Sequence, residues 1–143
     1  VLSRRLENWT RHWDEAIAAA TSPEGRLLAV FDAINSFRAS AAPTQWCCFL
    51  ATASERPAPK EGQTDPVFEL IRQDTQMINE RLSRLAREAQ CQDPGATAAV
   101  LLLLYNGVLS SLLRGAPSEP VAHARSTARS IIASAGQLPP AQL

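Results

Sequence analysis

The strongest constraint on this chain is the run from Asp93 to Gly115, DPGATAAVLLLLYNGVLSSLLRG. Asp93 can accept hydrogen bonds from the free N–H groups of a helix start, and Pro94 occupies an early position where a missing N–H costs nothing. At the other end Arg114 suits the negative pole of the helix dipole. Gly115 can take a left-handed cap, and Pro117 stops continuation. The run therefore predicts one helix of roughly twenty residues, long enough by itself to span a bilayer. Thr97, Asn106, Ser110, Ser111 and Arg114 interrupt its apolar character, so it is expected as a buried helix of a soluble protein. Its two faces differ. Leu101, Leu102, Tyr105, Val108, Leu109 and Leu112 are large and suit a core; Ala99, Leu103, Gly107, Ser110, Ser111 and Arg114 are mostly small or polar and suit close backbone approach. Tyr105 and Asn106 are the polar groups expected to point into the apolar interior, where each needs a partner.

The rest of the chain repeats the same grammar. Leu2, Leu6, Trp9, Trp13, Ile17 and Ala20 recur every three or four residues, one stripe of an amphipathic helix over 2–20. Ser22 as cap, Pro23 in the first turn and Glu24 at the positive pole start a second, with Leu27, Val30, Phe31, Ile34 and Phe37 as its stripe to about Ala39. Residues 45–54, QWCCFLATAS, are short and apolar on most sides; the helical surroundings favour a short helix. ERPAPKEGQT at 55–64 reads as a polar loop. Asp65-Pro66 opens the longest helix, to about Gln90, with Val67, Ile71, Ile78, Leu82, Leu85 and Ala89 on its stripe and Thr75 filling the gap. Glu80 precedes Arg84 by four, the favourable order for a helical ion pair. Ser118 is expected to start a last helix, striped by Val121, Ala124, Ala128, Ile131, Ile132 and Ala135 and stopped by Gly136. The expected architecture is all-α, about six helices in an orthogonal bundle, with residues 1–136 as one domain and 137–143 as a frayed tail.

Composition narrows the function. With 143 residues, 45% of them hydrophobic, the chain can bury one core. The formal net charge is zero, so no basic field is available to hold a nucleic-acid backbone. Cys47, Cys48 and Cys91 make no metal-ligand spacing, and nothing reads as a signal peptide. A reducing cytoplasm is the expected home, with no metal and no cofactor. No nucleophile elbow or phosphate-cradling glycine loop is present. His12 and His123 lie on different helices, the first expected to be solvated or hydrogen-bonded, so an enzyme is not expected. Cys47 and Cys48, beside Trp46, Phe49 and Leu50, read as small core hydrophobes; a thiol-based sensor using them or Cys91 is the competing reading. The chain begins at Val1 in what reads as helix interior, as expected of part of a longer protein.

The order of these signals resembles the C-terminal, effector-binding and dimerisation domain of the tetracycline-repressor (TetR) family of bacterial transcription regulators. The likeness is carried by SPEGRLLAVFDAI at 22–34, WCCFLATASE at 46–55, DPVFELIRQ at 65–73, and LAREAQCQDPGATAAVLLLLYNGVLSSLLRG at 85–115. Each motif alone is soft; their order and spacing over nearly the whole chain are the specific part. The resemblance implies a ligand-responsive module whose DNA-reading helix-turn-helix head, of roughly fifty residues, lies outside this chain. Residues 1–20 would be the connecting helix, and the last two helices would pair with those of a second subunit in a four-helix bundle. It implies a pocket for a small apolar or aromatic effector, with Trp9, Trp13, Phe31, Trp46, Phe49, Phe68, Met77, Leu101 and Tyr105 as candidate walls. It implies a self-complementary homodimer contact with Leu103, Gly107, Ser110, Arg114, His123, Thr127 and Ile131 as candidates. A freestanding helical homodimer that sequesters a hydrophobic ligand without binding DNA is the alternative. Plain core is the competing role for every one of these aromatics.

Overall fold

The computed structural model describes residues 2–40 and 60–135, which form five α-helices and no strand. The expected short helix at 45–54, with Trp46, Cys47, Cys48 and Phe49, most of the 55–64 loop, Gly136 and the tail lie outside the described residues.

Helix α1, Leu2–Ala19, buries Trp9 and Trp13, while the stripe residues Leu6 and Ile17 are half-buried. Helix α2, Pro23–Ser40, starts as its sequence predicts: the Gly25 N–H donates to Ser22 Oγ at 2.9 Å. All five expected stripe residues are buried, and Leu28, Ala29 and Ala33 are buried as well. Three helices cover α2: it packs most extensively on α1 and also touches the helices over Pro66–Glu88 and Pro120–Ala135. The helix covered on most sides is therefore α2, a correction to the expectation drawn from the 93–115 run.

Helix α3, Pro66–Glu88, is capped by Asp65, whose Oδ1 accepts from the Val67 N–H at 3.0 Å. Ile78, Leu82, Leu85 and Ala86 enter the core. Two expectations fail here. Thr75 is exposed, its hydroxyl donating back to the Ile71 carbonyl at 2.9 Å, and the gap in the stripe is filled instead by Asp74, which is buried. Glu80 accepts from Gln76, while Arg84 reaches Glu88 at 4.0 Å, so the expected Glu80–Arg84 pair is not formed. An exposed helical pair contributes only about 0.3–0.5 kcal/mol, too little to hold one partner against another.

Helix α4, Pro94–Arg114, has the predicted ends: Asp93 Oδ1 accepts from the Ala96 N–H at 3.0 Å, and Gly115 sits in the left-handed region at φ 77°. By length and composition it is apolar enough to cross a membrane, but only one side of it is covered. Leu101, Tyr105, Val108 and Leu109 are buried and Leu102 and Leu112 half-buried, whereas Leu103 is 70% and Leu113 50% exposed. Asn106 is exposed too, a second correction. Helix α5, Pro120–Ala135, begins two residues later than the expected start at Ser118, after Glu119 takes a left-handed turn at φ 52°. It lays Val121, Ala124, Ala128 and Ile132 on the core, with Ile131 half-buried. Arg125 on α5 pairs with Asp32 on α2 at 3.1 Å.

Candidate ligand and subunit-contact sites

Three helices bring their rings to one aromatic junction. Trp9 of α1 stands at its centre. Its ring centroid is 5.9 Å from that of Trp13, 6.1 Å from Phe37 in an edge-to-face contact, and 5.7 Å from Tyr105 of α4. Offset and edge-on ring pairs of this kind each add about 0.5–1.5 kcal/mol beyond the area they bury. Beside the junction lies a partly open slot of about 40 Å³, lined by Arg5, Leu6 and Trp9 of α1, Phe37 of α2, Asp74 of α3, and Tyr105 and Leu109 of α4. Drug-sized pockets run to about 300–1,000 Å³. The slot as it stands therefore holds little more than a water.

The polar groups of the slot are few and poorly satisfied. Asp74 is 8% exposed, and no hydrogen bond or ion pair reaches its carboxylate from the described residues. Burial pushes its pKa up to about 6, because the charged form loses hydration without gaining a donor. Burial also pushes the Tyr105 phenol up, and the nearby Asp74 charge adds to that shift. The Trp9 indole N–H is buried with no acceptor, as is that of Trp13. Trp13 has a cation for company: the Arg81 guanidinium sits 4.7 Å from its ring centroid. Arg81 Nη1 also lies 2.8 Å from Asp14 Oδ1, an ion pair by distance whose geometry leaves that nitrogen without a directed hydrogen bond.

The candidate wall residues are distributed unevenly. Trp9 and Tyr105 line the slot. Trp13, Phe31 and Leu101 are fully buried in the core and reach no described cavity. Phe68 and Met77 are half-buried and also away from the described cavities. Trp46 and Phe49 lie outside the described residues. Asp74 and Arg5 escape a reading based on apolar stripes, although an acidic residue three after Ile71 and four before Ile78 is a signal in its own right. Phe37, Leu6 and Leu109 were legible as core positions but not as walls.

The opposite side of α4 carries a second, open depression of about 240 Å³. Leu103, Leu104, Gly107, Val108 and Ser111 of α4 form one bank; Pro117, Pro120, His123, Ala124 and Thr127 form the other. Four of the contact candidates, Leu103, Gly107, His123 and Thr127, thus meet in one groove, while Ser110, Arg114 and Ile131 are not among its lining residues. A Cβ built on Gly107 meets nothing within 4 Å, so no intrachain packing requires glycine there.

The remaining candidates for chemistry are occupied structurally. His12 is buried, with Nδ1 2.9 Å from Ser36 Oγ and Nε2 3.1 Å from Ser40 Oγ. Ser40 donates its own proton to the Phe37 carbonyl at 2.9 Å. In the neutral ring Nε2–H must then donate to Ser40, leaving Nδ1 to accept from Ser36. His12 is a satisfied clip between α1 and α2. Cys91 is free and buried in the core. Among the described residues no three His, Cys, Asp or Glu side chains cluster as a metal site would need.

Fold and sites together define an all-α helical domain with an aromatic slot on one side of α4 and an uncovered apolar groove on the other. No family model, curated protein or solved structure matches the chain.

Proposed function

We propose that this chain is the ligand-responsive regulatory and dimerisation domain of a TetR-like transcription regulator, organised as the orthogonal bundle and dimeric four-helix contact of that family. The supporting observation is the double use of α4. Tyr105 and Leu109 wall the aromatic slot, and Leu103, Leu104, Gly107 and Val108 wall the exposed groove shared with α5. In this reading α4 and α5 pair with their copies in a second chain, and the exposure of Leu103 and Leu113 is relieved there. A small apolar or aromatic effector enters between α1 and the α3–α4 pair, displaces α1, and changes the spacing of two DNA-reading heads attached N-terminal to it. The energy available for that shift is only the effector's difference in affinity for the two states.

The test is footprinting on the DNA upstream of the gene, using the protein produced from the gene's own start codon. Sequence-dependent protection, altered by a ligand that raises this chain's melting temperature, is the expected result. A dimer that binds such a ligand but protects no sequence would instead be a freestanding hydrophobic-ligand module. A monomer that protects no sequence would end both readings.

A further inference from the structure

We infer that the slot between α1, α3 and α4 is a recognition site for a small aromatic amine in its protonated form, held by the Asp74 carboxylate and stacked among Trp9, Phe37 and Tyr105. The inference refines the effector of the proposed function and rests on that reading only for its regulatory consequence; binding itself can be measured without DNA.

A carboxylate at 8% exposure costs free energy unless a donor or cation meets it. None of the described residues does so, although Arg5 lines the same slot. An apolar side chain would have closed this stripe position without cost, so the acid is poorly explained by packing. Around it stand the rings of Trp9, Phe37 and Tyr105, and the face of such a ring attracts a cation through its quadrupole. A ligand with an aromatic ring and an ammonium group answers both features: the ring replaces slot surface, and the N–H groups supply the donors Asp74 lacks. A carboxylate-bearing ligand would meet Asp74 as a like charge.

The size of the slot sets a condition. An apolar cavity that binds benzene is about 150 Å³, so a ring needs the slot to widen from its 40 Å³. Leu6 and Arg5 are half-buried on the second turn of α1 and form the rim free to give way; Trp9 and Asp74 are buried. Entry of a ring therefore pushes on α1 rather than on the core.

Among the described residues that line the slot with Asp74, the ionisable groups are Arg5 from α1 and Tyr105 from α4, while α2 contributes the uncharged Phe37. With the carboxyl titrating near 6, the binding-competent ionised form is the major one above that pH and the minor one below it.

The experiment is calorimetric titration of the chain with three ring compounds of similar size: benzylamine, protonated throughout the range used, neutral benzyl alcohol, and anionic benzoate. Benzylamine is expected to bind at least about tenfold tighter than benzyl alcohol, with benzoate weakest. Lowering the pH from about 7.5 to about 5 should weaken benzylamine about tenfold, in proportion to the ionised fraction of Asp74, and leave benzyl alcohol unchanged. Asp74→Asn should bring benzylamine down to the benzyl alcohol level and abolish its pH dependence. If that variant fails to fold, the wild-type comparison of the three probes across pH decides alone. Equal affinities for the amine and the alcohol, or an amine affinity untouched by pH, overturn the inference. Preferential binding of benzoate would also overturn it, assigning the slot to Arg5 and an anion. If amine selectivity holds and footprinting fails, the ligand site stands without the regulator.

Discussion

Tyr105 of α4 meets Trp9 of α1 with ring centroids 5.7 Å apart and planes inclined at 34°. This contact ties the first helix to the fourth across the slot, adding a ring pair to the extensive packing of α1 on α2. The Tyr105 hydroxyl has no hydrogen-bond partner among the described residues, so its ring is the part that packs.

Removing the two ends of this contact should therefore have unequal effects. Trp9→Ala takes away a buried side chain touching three other rings and is expected to destabilise the fold by about 3–5 kcal/mol. Tyr105→Phe keeps the ring and loses only an unpartnered hydroxyl, and should change stability by less than about 1 kcal/mol. Urea denaturation followed by circular dichroism measures both. A large loss in Tyr105→Phe would mean that the hydroxyl, and not the ring alone, holds the contact.

Asp74 makes stability depend on pH in the direction opposite to a salt-bridged acid. Its folded-state pKa, about 6, lies above the ordinary aspartate value, so between roughly pH 4 and 6 the folded state binds more protons than the unfolded one. Stability therefore falls as pH rises through that window and levels off above it. The full effect is on the order of 3 kcal/mol. Asp74→Asn should remove this slope and raise the urea midpoint at neutral pH. Parallel pH profiles for wild type and variant would show that Asp74 is not the group responsible.

Gly107 tests the subunit contact without disturbing the chain itself. Because nothing lies within 4 Å of its Cβ position, Gly107→Leu should leave the helix content and monomer fold intact. In a dimer built through the α4–α5 groove it would insert bulk where two backbones approach, shifting sedimentation toward monomer. Leu103→Glu should act in the same direction by placing a charge on a 70% exposed leucine. If both variants sediment as the wild type does, any oligomer uses another face.

Cys91 provides a check on thiol sensing. It is 7% exposed in the core. In a chain carrying Cys47→Ser and Cys48→Ser, an aromatic disulfide reagent should modify Cys91 no faster than the chain unfolds, and urea should accelerate the reaction. Rapid modification under native conditions would return this thiol to the set of possible sensors.

The helix ends were readable because they depend on chemistry within a few residues. Asp65, Asp93, Ser22 and Gly115 each perform the capping role their neighbours implied. The stripe of α3 was readable except at one place. Positions 74 and 75 both lie near the seam between Ile71 and Ile78, and polarity alone favours threonine over aspartate as the buried one. The fold resolves this the other way, and that choice creates the charged element of the slot. The late start of α5 depends on a left-handed backbone at Glu119 that composition does not announce. The ranking of α2 above α4 in burial was hidden for another reason. Apolarity measures what a helix can cover, whereas burial depends on how many neighbours the topology supplies, and α2 has three.

The side chains of α4 divide two compartments with almost nothing between them. Tyr105 and Leu109 belong to the slot, and the residues that precede each of them, Leu104 and Val108, belong to the groove. An α-helix with its side chains is only about 10–12 Å across. The two depressions therefore share a single party wall, so any shift of α4 changes both surfaces at once, with no relay of intermediate residues needed.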